Sequence, residues 1–365
     1  MKLPAFLSEE RDPYLLGLLR VGIASLLLLL TLRLAREYLG GRYFGDVFHL
    51  PLLPEALVPS RRGYGLLLAC QALTAVLALL GLVARPALLI AALCGLYGMA
   101  CDRLQYHNNR YTLLLVALLV ALTPCDRSFV WAFGAKAPPH APSPPPGDEK
   151  GHAKAPRWAA YLVGVQLSLV YLSSSLGKLL DGDWRGGTVM LLRFTPFRAT
   201  AEQWVPAGMA EWLTEPWFGQ LAAVSALATE LLLALGPWLA RPRILALWVG
   251  VMFHAGIELF ANVELFSYTM LCAYLVFVTP ERRERRLSWS ARDGAAGLLA
   301  KLAAGLDFLA RFRHERVPGQ QALLVVHDRG GQPHQGLAAL RELTRATPLL
   351  FPLWLPLSLL TWRKR

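Results

Sequence analysis

The sequence predicts an all-α integral membrane protein, with about eight transmembrane helices and a small C-terminal cytoplasmic α/β tail. Hydrophobic residues make up 55% of the 365 residues, charged residues only 17%, and the mean hydropathy is +0.40. Soluble globular chains are nearer a quarter charged. The apolar residues also occur in long runs, and about 20 of them cross a bilayer as a helix. This composition argues against a soluble enzyme, a disulfide scaffold and a disordered chain.

Eight segments have the composition of membrane spans, although the third and eighth are short and the fourth contains Pro124. The first is not expected to be a signal peptide, because its apolar run is too long and no small-residue cleavage site follows it. The predicted spans are Tyr14–Leu34, Tyr64–Val83, Pro86–Cys101, Tyr111–Phe133, Ala159–Leu180, Trp217–Leu239, Ile244–Phe260 and Phe266–Val278.

Composition divides the chain further. Ala135–Arg157 contains seven prolines, which predicts an extended, exposed and weakly ordered linker. Gly182–Glu215 is a polar-aromatic loop with Trp184, Trp204 and Trp212, a composition that suits the membrane interface. The predicted organisation is therefore spans one to four in 1–134, a linker in 135–157, spans five to eight in 158–280 and a tail in 281–365.

The tail is basic, with 15 basic and 7 acidic residues in 281–365. Arg282, Arg283, Arg285 and Arg286 follow the last predicted span, so the positive-inside rule places the tail in the cytoplasm. An even number of spans puts the N-terminus there too, although several arginines between spans one and two then lie on the opposite side. Within the tail we predict helices over Ala295–Phe312 and Gln335–Ala346, a strand over Ala322–His327 and a surface-packed or interfacial segment over Pro348–Trp362.

Ionisable residues inside spans are costly, so each one is a candidate for function. Ser173–Lys178 ends the fifth span with three serines, a glycine and a lysine. A desolvated lysine can lose its proton and act as a base, whereas a lysine at a membrane boundary can also simply snorkel to the headgroups. Glu230 lies in the middle of the sixth span and needs a partner or a proton. A structural partner such as Arg20 is the alternative to a functional role.

Two further clusters flank the spans. Asp102–Tyr111 holds His107, Asn108, Asn109 and Arg110 between spans three and four, where they could form a site or merely cap the fourth helix. His254 and Glu258 are four residues apart on the seventh span, followed by Asn262 and Glu264. A His–carboxylate pair can be half of a metal site, but no second ligand pair occurs and the five cysteines have no zinc spacing. We therefore predict no metal. Membrane proteins collect basic residues beside their spans, so the positive charge of the chain does not indicate a nucleic-acid partner, and we predict none.

Four of these segments resemble the vitamin K-dependent gamma-carboxylases and the bacterial HTTM (horizontally transferred transmembrane) domain proteins, in the same order and with similar spacing over about residues 14–280. The Lys-Leu-x-x-x-Asp-Trp pattern in the second segment is the most specific of the four. The segments are His107–Tyr111, Gly177–Trp184, Thr229–Leu231, and Phe253-His254 with Phe266–Leu271.

The resemblance implies a membrane enzyme in which a lysine deprotonates reduced vitamin K or menaquinol. Reaction with O2 then yields an epoxide and a strong base, which removes a proton from a peptidyl glutamate so that the carbanion attacks CO2. A dry pocket protects such a base from water. Lys178 and His254 would be the catalytic residues, and we expect Lys178, Asn109 and His254 to line one cavity. The implied cofactor-binding residues are His107, Asn108, Asn109, Arg110, Asp183, Trp184 and Glu230.

The chain departs from the family pattern in three places. Arg110 stands where the family has a histidine, and Arg cannot act as a neutral base. The large soluble domain that follows the membrane part of the animal carboxylases is absent, although it serves peptide recognition there. Leu323–Leu360 faintly resembles half of a thioredoxin-like DCC domain without CxxC, which suggests a docking module.

The expected location is a bacterial inner membrane, with the bilayer, a lipid-soluble quinone and a peptide or protein substrate as partners. The alternative function is a non-enzymatic HTTM membrane protein that acts in peptide maturation, export or immunity.

Overall fold

The computed structural model describes residues 5–42, 50–129, 154–261, 263–278, 281, 283–290 and 294–362. The chain forms two compact units, Met1–Val278 and Thr279–Arg365. The predicted linker over 135–157 lies outside the described residues except for its last four positions. There Ala155–Pro156 (β2) pairs with Glu10–Arg11 (β1) in a short antiparallel ladder.

The first unit is a bundle of helices around one core. Buried leucines of the second helix and small residues of its neighbours form that core. In chain order its α-helices are α1 (Ala5–Ser8), α2 (Tyr14–Leu39), α3 (Arg61–Leu80), α4 (Ala84–Cys101), α5 (Asn108–Leu122), α6 (Trp158–Leu180), α7 (Gly182–Arg185), α8 (Thr188–Phe194), α9 (Arg198–Ala201), α10 (Ala207–Glu211), α11 (Pro216–Leu235), α12 (Arg243–Phe260) and α13 (Phe266–Ala273).

Six of the eight predicted spans are helices long and apolar enough to cross a bilayer: α2, α3, α4, α6, α11 with its continuation to Trp238, and α12. The chain is therefore an integral membrane protein. The other two segments are shorter. Helix α5 has 15 residues, and α13 has 8 residues followed by a 3-10 turn over Tyr274–Phe277. The total of eight crossings stays a prediction.

Helix α4 shows how the spanning helices pack. Most of its buried positions are small residues such as Ala87, Ala91 and Gly95, with Leu88 buried beside them, whereas the bulky Ile90 and Leu93 are exposed. A Cβ on Gly95 would lie 2.4 Å from a methyl carbon of Leu114 in α5. Small residues let membrane helices approach closely, while large apolar side chains face lipid.

Helix α5 ends before Pro124, and two arginines donate to backbone carbonyls at its end and in the segment that follows. Arg20 of α2 is fully buried and donates to the carbonyl oxygens of Cys125, Ser128 and Phe129 at 2.6–3.1 Å. Arg85 donates to the last carbonyls of α5. Unpaired carbonyls are costly away from water. The proposed pairing of Arg20 with Glu230 is therefore wrong, because these carbonyls take up the guanidinium.

The predicted polar-aromatic loop between spans five and six is built of four short helices, α7–α10. Its position against α11 depends on two glycines. Gly187 has φ +80°, and a Cβ there would lie 2.3 Å from the backbone nitrogen of Gln220. A Cβ on Gly219 would lie 2.9 Å from the carbonyl oxygen of Gly187. Backbone-to-backbone contact of this kind leaves no room for a side chain.

The second unit contains a four-stranded mixed sheet with strand order β4-β3-β5-β6, in which β3 and β4 are parallel and the other pairs antiparallel. The sequence predicted the strand over Leu324–His327 and the helices over Gly294–Leu306 and Gly336–Ala346 but none of the other strands, and the first helix ends at Leu306 rather than at the predicted Phe312, which begins a strand. The segment Pro348–Trp362, predicted to be surface-packed or interfacial, is helical. Strand β3 contains Arg285, which is buried against Glu281 and so is not a free charge beside the last span. The elements are β3 (Arg285–Ser290), α14 (Gly294–Leu306), β4 (Phe312–Val317), β5 (Leu324–His327), β6 (Pro333–Gln335), α15 (Gly336–Ala346), a 3-10 helix (Pro348–Leu353) and α16 (Trp354–Trp362).

Gly187→Ala should destabilise the first unit, because the new methyl group meets backbone atoms and the residue must keep a positive φ. Strain of each kind costs about 1–3 kcal/mol, so we expect the midpoint of thermal unfolding in detergent to fall clearly. Gly182→Ala is the matched control, since a Cβ there has no atom within 4 Å. Equal midpoints for the two variants would contradict this account of the α7–α11 contact.

Candidate functional site

The first unit contains a large cavity of about 1070 Å³. Helices α5, α6, α8, α11 and α12 contribute its walls, which are mainly apolar and aromatic. Pockets for small ligands usually reach about 300–1,000 Å³, so this cavity has room for a ring system and part of a chain. Five of the predicted site residues line it: Asn108, Asn109, Lys178, Trp184 and Glu230.

An ion pair between Lys178 and Glu230 lies in the wall of this cavity. Lys178 Nζ also donates to Ser174 Oγ at 2.9 Å, and that hydroxyl donates to the same carboxylate oxygen of Glu230 at 3.0 Å. The side chains of Lys178 and Glu230 are only 16% and 6% exposed. Glu230 Oε2 has no hydrogen-bond partner among the described residues. The cavity therefore presents a paired ammonium group beside a free carboxylate oxygen.

The spacing along two helices explains this arrangement. Ser174 and Lys178 are four residues apart in α6, so they lie on the same helical face. Helix α11 packs against α6 and brings Glu230 opposite them. Helix α7 follows directly after α6, and the Trp184 ring lies under the ammonium group, with 4.8 Å between Nζ and the ring centroid. A cation over an indole face is stabilised in addition to its ion pair.

His107, Asn108 and Asn109 form the beginning of α5. His107 Nδ1 accepts from the backbone nitrogen of Asn109 at 3.3 Å, which caps the helix, and Asn109 Nδ2 donates to the carbonyl oxygen of Val263 at 2.8 Å. His107 lines an outer chamber of about 770 Å³ that shares most of its lining residues with the large cavity. Capping and site formation, which the sequence left as alternatives, thus occur in the same segment.

Arg110 points away from the large cavity. Its guanidinium forms a bidentate pair with Glu264 at 2.8 and 2.9 Å and donates to Gln105 at 3.1 Å. Glu264 has φ +51°, a strained conformation for a residue with a side chain. The pair holds the turn between α12 and α13 on the start of α5. Arg110, predicted to bind a cofactor, instead contributes to this structural contact.

His254 is completely buried and lies behind Tyr171, which lines the cavity. Tyr171 Oη is 2.8 Å from His254 Nε2 and 2.5 Å from Tyr274 Oη. The expectation that Lys178, Asn109 and His254 line one cavity is therefore right for the first two and wrong for His254. A larger aromatic residue separates it from the open space.

Asp183 is exposed in α7 and does not line the cavity. Glu258 is exposed as well, so His254 and Glu258 do not form a pair although they are four residues apart. Asn262 lies outside the described residues. In the described part of the chain, no group of three His, Cys, Asp or Glu side chains is placed to hold a metal ion.

Sequence reasoning missed Tyr171 and Arg193. Arg193 of α8 lines both the large cavity and the outer chamber, and among the described residues it has no ion-pair or hydrogen-bond partner. Arg193 is exposed, and the outer chamber has no acidic lining residue that could pair with it. An arginine in an interfacial segment is common, so its residue type alone did not single it out.

Comparison with protein families gives a match to the HTTM domain over residues 9–281. The chain therefore belongs to the HTTM family of membrane proteins. No curated protein and no solved structure matches the chain.

The Arg110–Glu264 contact predicts a dependence of stability on pH. The Arg110 guanidinium lowers the pKa of Glu264 below its ordinary value. A carboxylate whose pKa is lowered by folding stabilises the fold above its unfolded pKa of about 4.3, and this contribution is lost as the pH falls through the lower folded pKa. Thermal unfolding between pH 7 and pH 3 should show this loss.

In Glu264→Gln the loss of stability with falling pH should be smaller, and at pH 7 this variant should be less stable by about 1–3 kcal/mol. Unchanged pH dependence in Glu264→Gln would contradict the assignment.

Proposed function

We propose that this chain is a vitamin K-dependent carboxylase-like membrane enzyme that oxidises a reduced quinone with O2 and uses the base so formed on an acceptor substrate. The observation that carries the proposal is the Lys178–Ser174–Glu230 cluster on the wall of the large cavity. Convergent polar groups in a large apolar pocket are the usual mark of an active site. Family membership supports the same assignment.

The cavity residues fit a hydroquinone. Glu230 Oε2 is a buried acceptor without a partner, which a phenolic hydroxyl would satisfy. Trp184, Phe194, Phe253 and Phe266 line the cavity and offer ring surfaces for a planar ligand. When bound, the hydroquinone and O2 together supply the oxidation to the epoxide and water, with CO2 as the electrophile for the deprotonated acceptor.

The chain's own residues move and hold protons in this proposal. Glu230 Oε2 accepts the hydroxyl proton, and Lys178 shares that carboxylate and exchanges a proton with it through the direct contact and through Ser174 Oγ. Trp184 keeps the ammonium group in position. The apolar walls exclude water, which would otherwise consume a strong base. His254 positions Tyr171 rather than meeting a ligand itself.

Arg193 supports an acceptor that carries an anionic group, since it is an exposed guanidinium in the wall of an outer chamber that no acidic residue lines. A peptide or protein carboxylate has this chemistry, and guanidinium groups bind carboxylates well. The proposal also includes a bacterial inner membrane as the location and a cytoplasmic C-terminus, which the basic tail supports.

A second candidate is the non-enzymatic HTTM protein that serves peptide maturation, export or immunity. The observation in its favour is the ion pair itself. A Lys–Glu pair between α6 and α11 also has a purely structural explanation, because each charge neutralises the other between two membrane helices.

Lys178→Arg separates the two candidates. Arginine keeps the charge, but its pKa stays above about 12, so it cannot give up a proton in turnover. If Lys178 transfers protons, epoxide formation from vitamin K hydroquinone or menaquinol under O2 should fall at least about 100-fold. Arg198→Ala, which removes only exposed ion pairs with Glu202 and Glu211, is the control and should keep full activity. Wild-type turnover by Lys178→Arg would refute the catalytic role.

A double substitution tests whether the pair is structural. Removing one partner of a buried ion pair costs about 3–5 kcal/mol, whereas replacing both with apolar residues is often neutral. Glu230→Met should therefore be much less stable than Lys178→Met/Glu230→Met in thermal unfolding. The double variant should be stable but inactive. An active double variant would show that the cluster does not perform the chemistry.

A further inference from the structure

Helix α14 in the second unit has an inverted pattern of burial. Its buried positions are Ala296, Ala300 and Ala303, whereas Leu298 and Leu302 are 61% and 55% exposed. A helix on the surface of a soluble domain normally does the reverse and buries its large apolar side chains. The alanines pack on the sheet, so the leucines face outward.

A similar pattern occurs in helix α4 of the membrane unit, where alanines and a glycine are buried beside Leu88, and Ile90 and Leu93 are exposed. There it is the pattern expected of a helix whose outer face meets lipid. In α14 the same pattern indicates that the outer face of the helix also meets lipid.

The C-terminal segment repeats the feature. Pro348–Leu353 and α16 carry a second set of large apolar side chains, each more than half exposed. No side chain in this segment is buried among those that the structure describes. The exposed residues are Leu349, Leu353, Leu355, Leu359 and Leu360. Together with Leu298 and Leu302 on the outer face of α14, these residues are called the leucine faces.

Basic residues accompany both leucine faces. Residues 294–306 and 343–365 contain no Asp or Glu. Their charged residues are Lys301, Arg345, Arg363, Lys364 and Arg365, of which Arg345 is paired with Glu342. Lys301 is exposed and lies one helical turn from Leu298. Exposed apolar side chains with basic neighbours are typical of segments that lie in the interface of a membrane containing anionic lipids.

We propose that the leucine faces of the second unit bind the surface of an anionic lipid bilayer. The polypeptide enters this unit directly from a unit with six helices able to span a membrane, so a bilayer surface is always present at high effective concentration. Charge favours a bilayer surface over a second copy of the chain at these faces, because two basic surfaces of the same chain repel each other. The proposal is independent of the proposed enzymatic function.

Photocrosslinking of the full chain identifies what covers these faces. p-Benzoylphenylalanine replaces Leu298, Leu302 or Leu359 in separate variants, and replaces Gln332, an exposed polar position of the same unit, in the control. Each protein is reconstituted in vesicles of phosphatidylcholine or of an equal mixture with phosphatidylglycerol, and mass spectrometry reads the adducts. We expect lipid adducts at the three leucine positions, several-fold above those at position 332.

Other adducts would overturn the proposal. Crosslinks to a second copy would identify a dimer interface, and crosslinks within the same chain would show that protein covers the faces. Lipid adducts no more frequent than at position 332 would show that the faces remain in water.

Lys301→Gln tests the role of charge. Each basic residue near an anionic surface strengthens binding about fivefold, so this variant should show about fivefold fewer lipid adducts at position 298 in the anionic vesicles and no change in neutral ones. Lys301→Arg should restore the yield. Because Lys301 is exposed, neither change should unfold the unit, and protection of the tail from protease checks this. An equal yield in both kinds of vesicle for the native residue would overturn the anionic preference.

Discussion

The ion pair between Lys178 and Glu230 constrains most of the membrane unit. An unpaired charge among apolar helices is prohibitively costly, so α6 and α11 must pack with these two side chains in register. Helices α7 and α8 fold back on α11 through the contact of Gly187 with Gly219. This fold-back places Trp184 under the ammonium group and Arg193 in the wall of the cavity. The ion pair thus lies where these helices meet.

The other polar groups of the unit divide into those that hold the fold and those that remain free. Arg20 donates hydrogen bonds to backbone carbonyls that follow α5, and Arg110 forms an ion pair with Glu264. Arg193 and the second carboxylate oxygen of Glu230 have no partner among the described residues, and both lie at the cavity. Buried polar groups are normally hydrogen-bonded, so the unsatisfied carboxylate oxygen is the strongest structural sign that the cavity receives a ligand.

Several features could be predicted because they depend on local composition. Six membrane helices followed from apolar runs of sufficient length. Lys178 and Glu230 stood out because charges are rare in such runs. Arg20 stood out for the same reason, yet its partners could not be inferred, since a guanidinium accepts carboxylates and carbonyls alike. Strands β3 and β4 were missed because their charged residues concealed the short apolar pattern of the sheet.

The sequence alone determined that the chain lies in a membrane, where its helices run, and which ionisable residues needed an explanation. These properties follow from hydrophobicity and chain geometry, which act over a few neighbouring residues. Only the tertiary structure decided which charges meet, that Tyr171 stands between His254 and the cavity, and that Arg110 faces Glu264 rather than a ligand. Such pairings join residues up to 154 positions apart, and they depend on helix rotation, which a uniformly apolar helix does not encode in its own sequence.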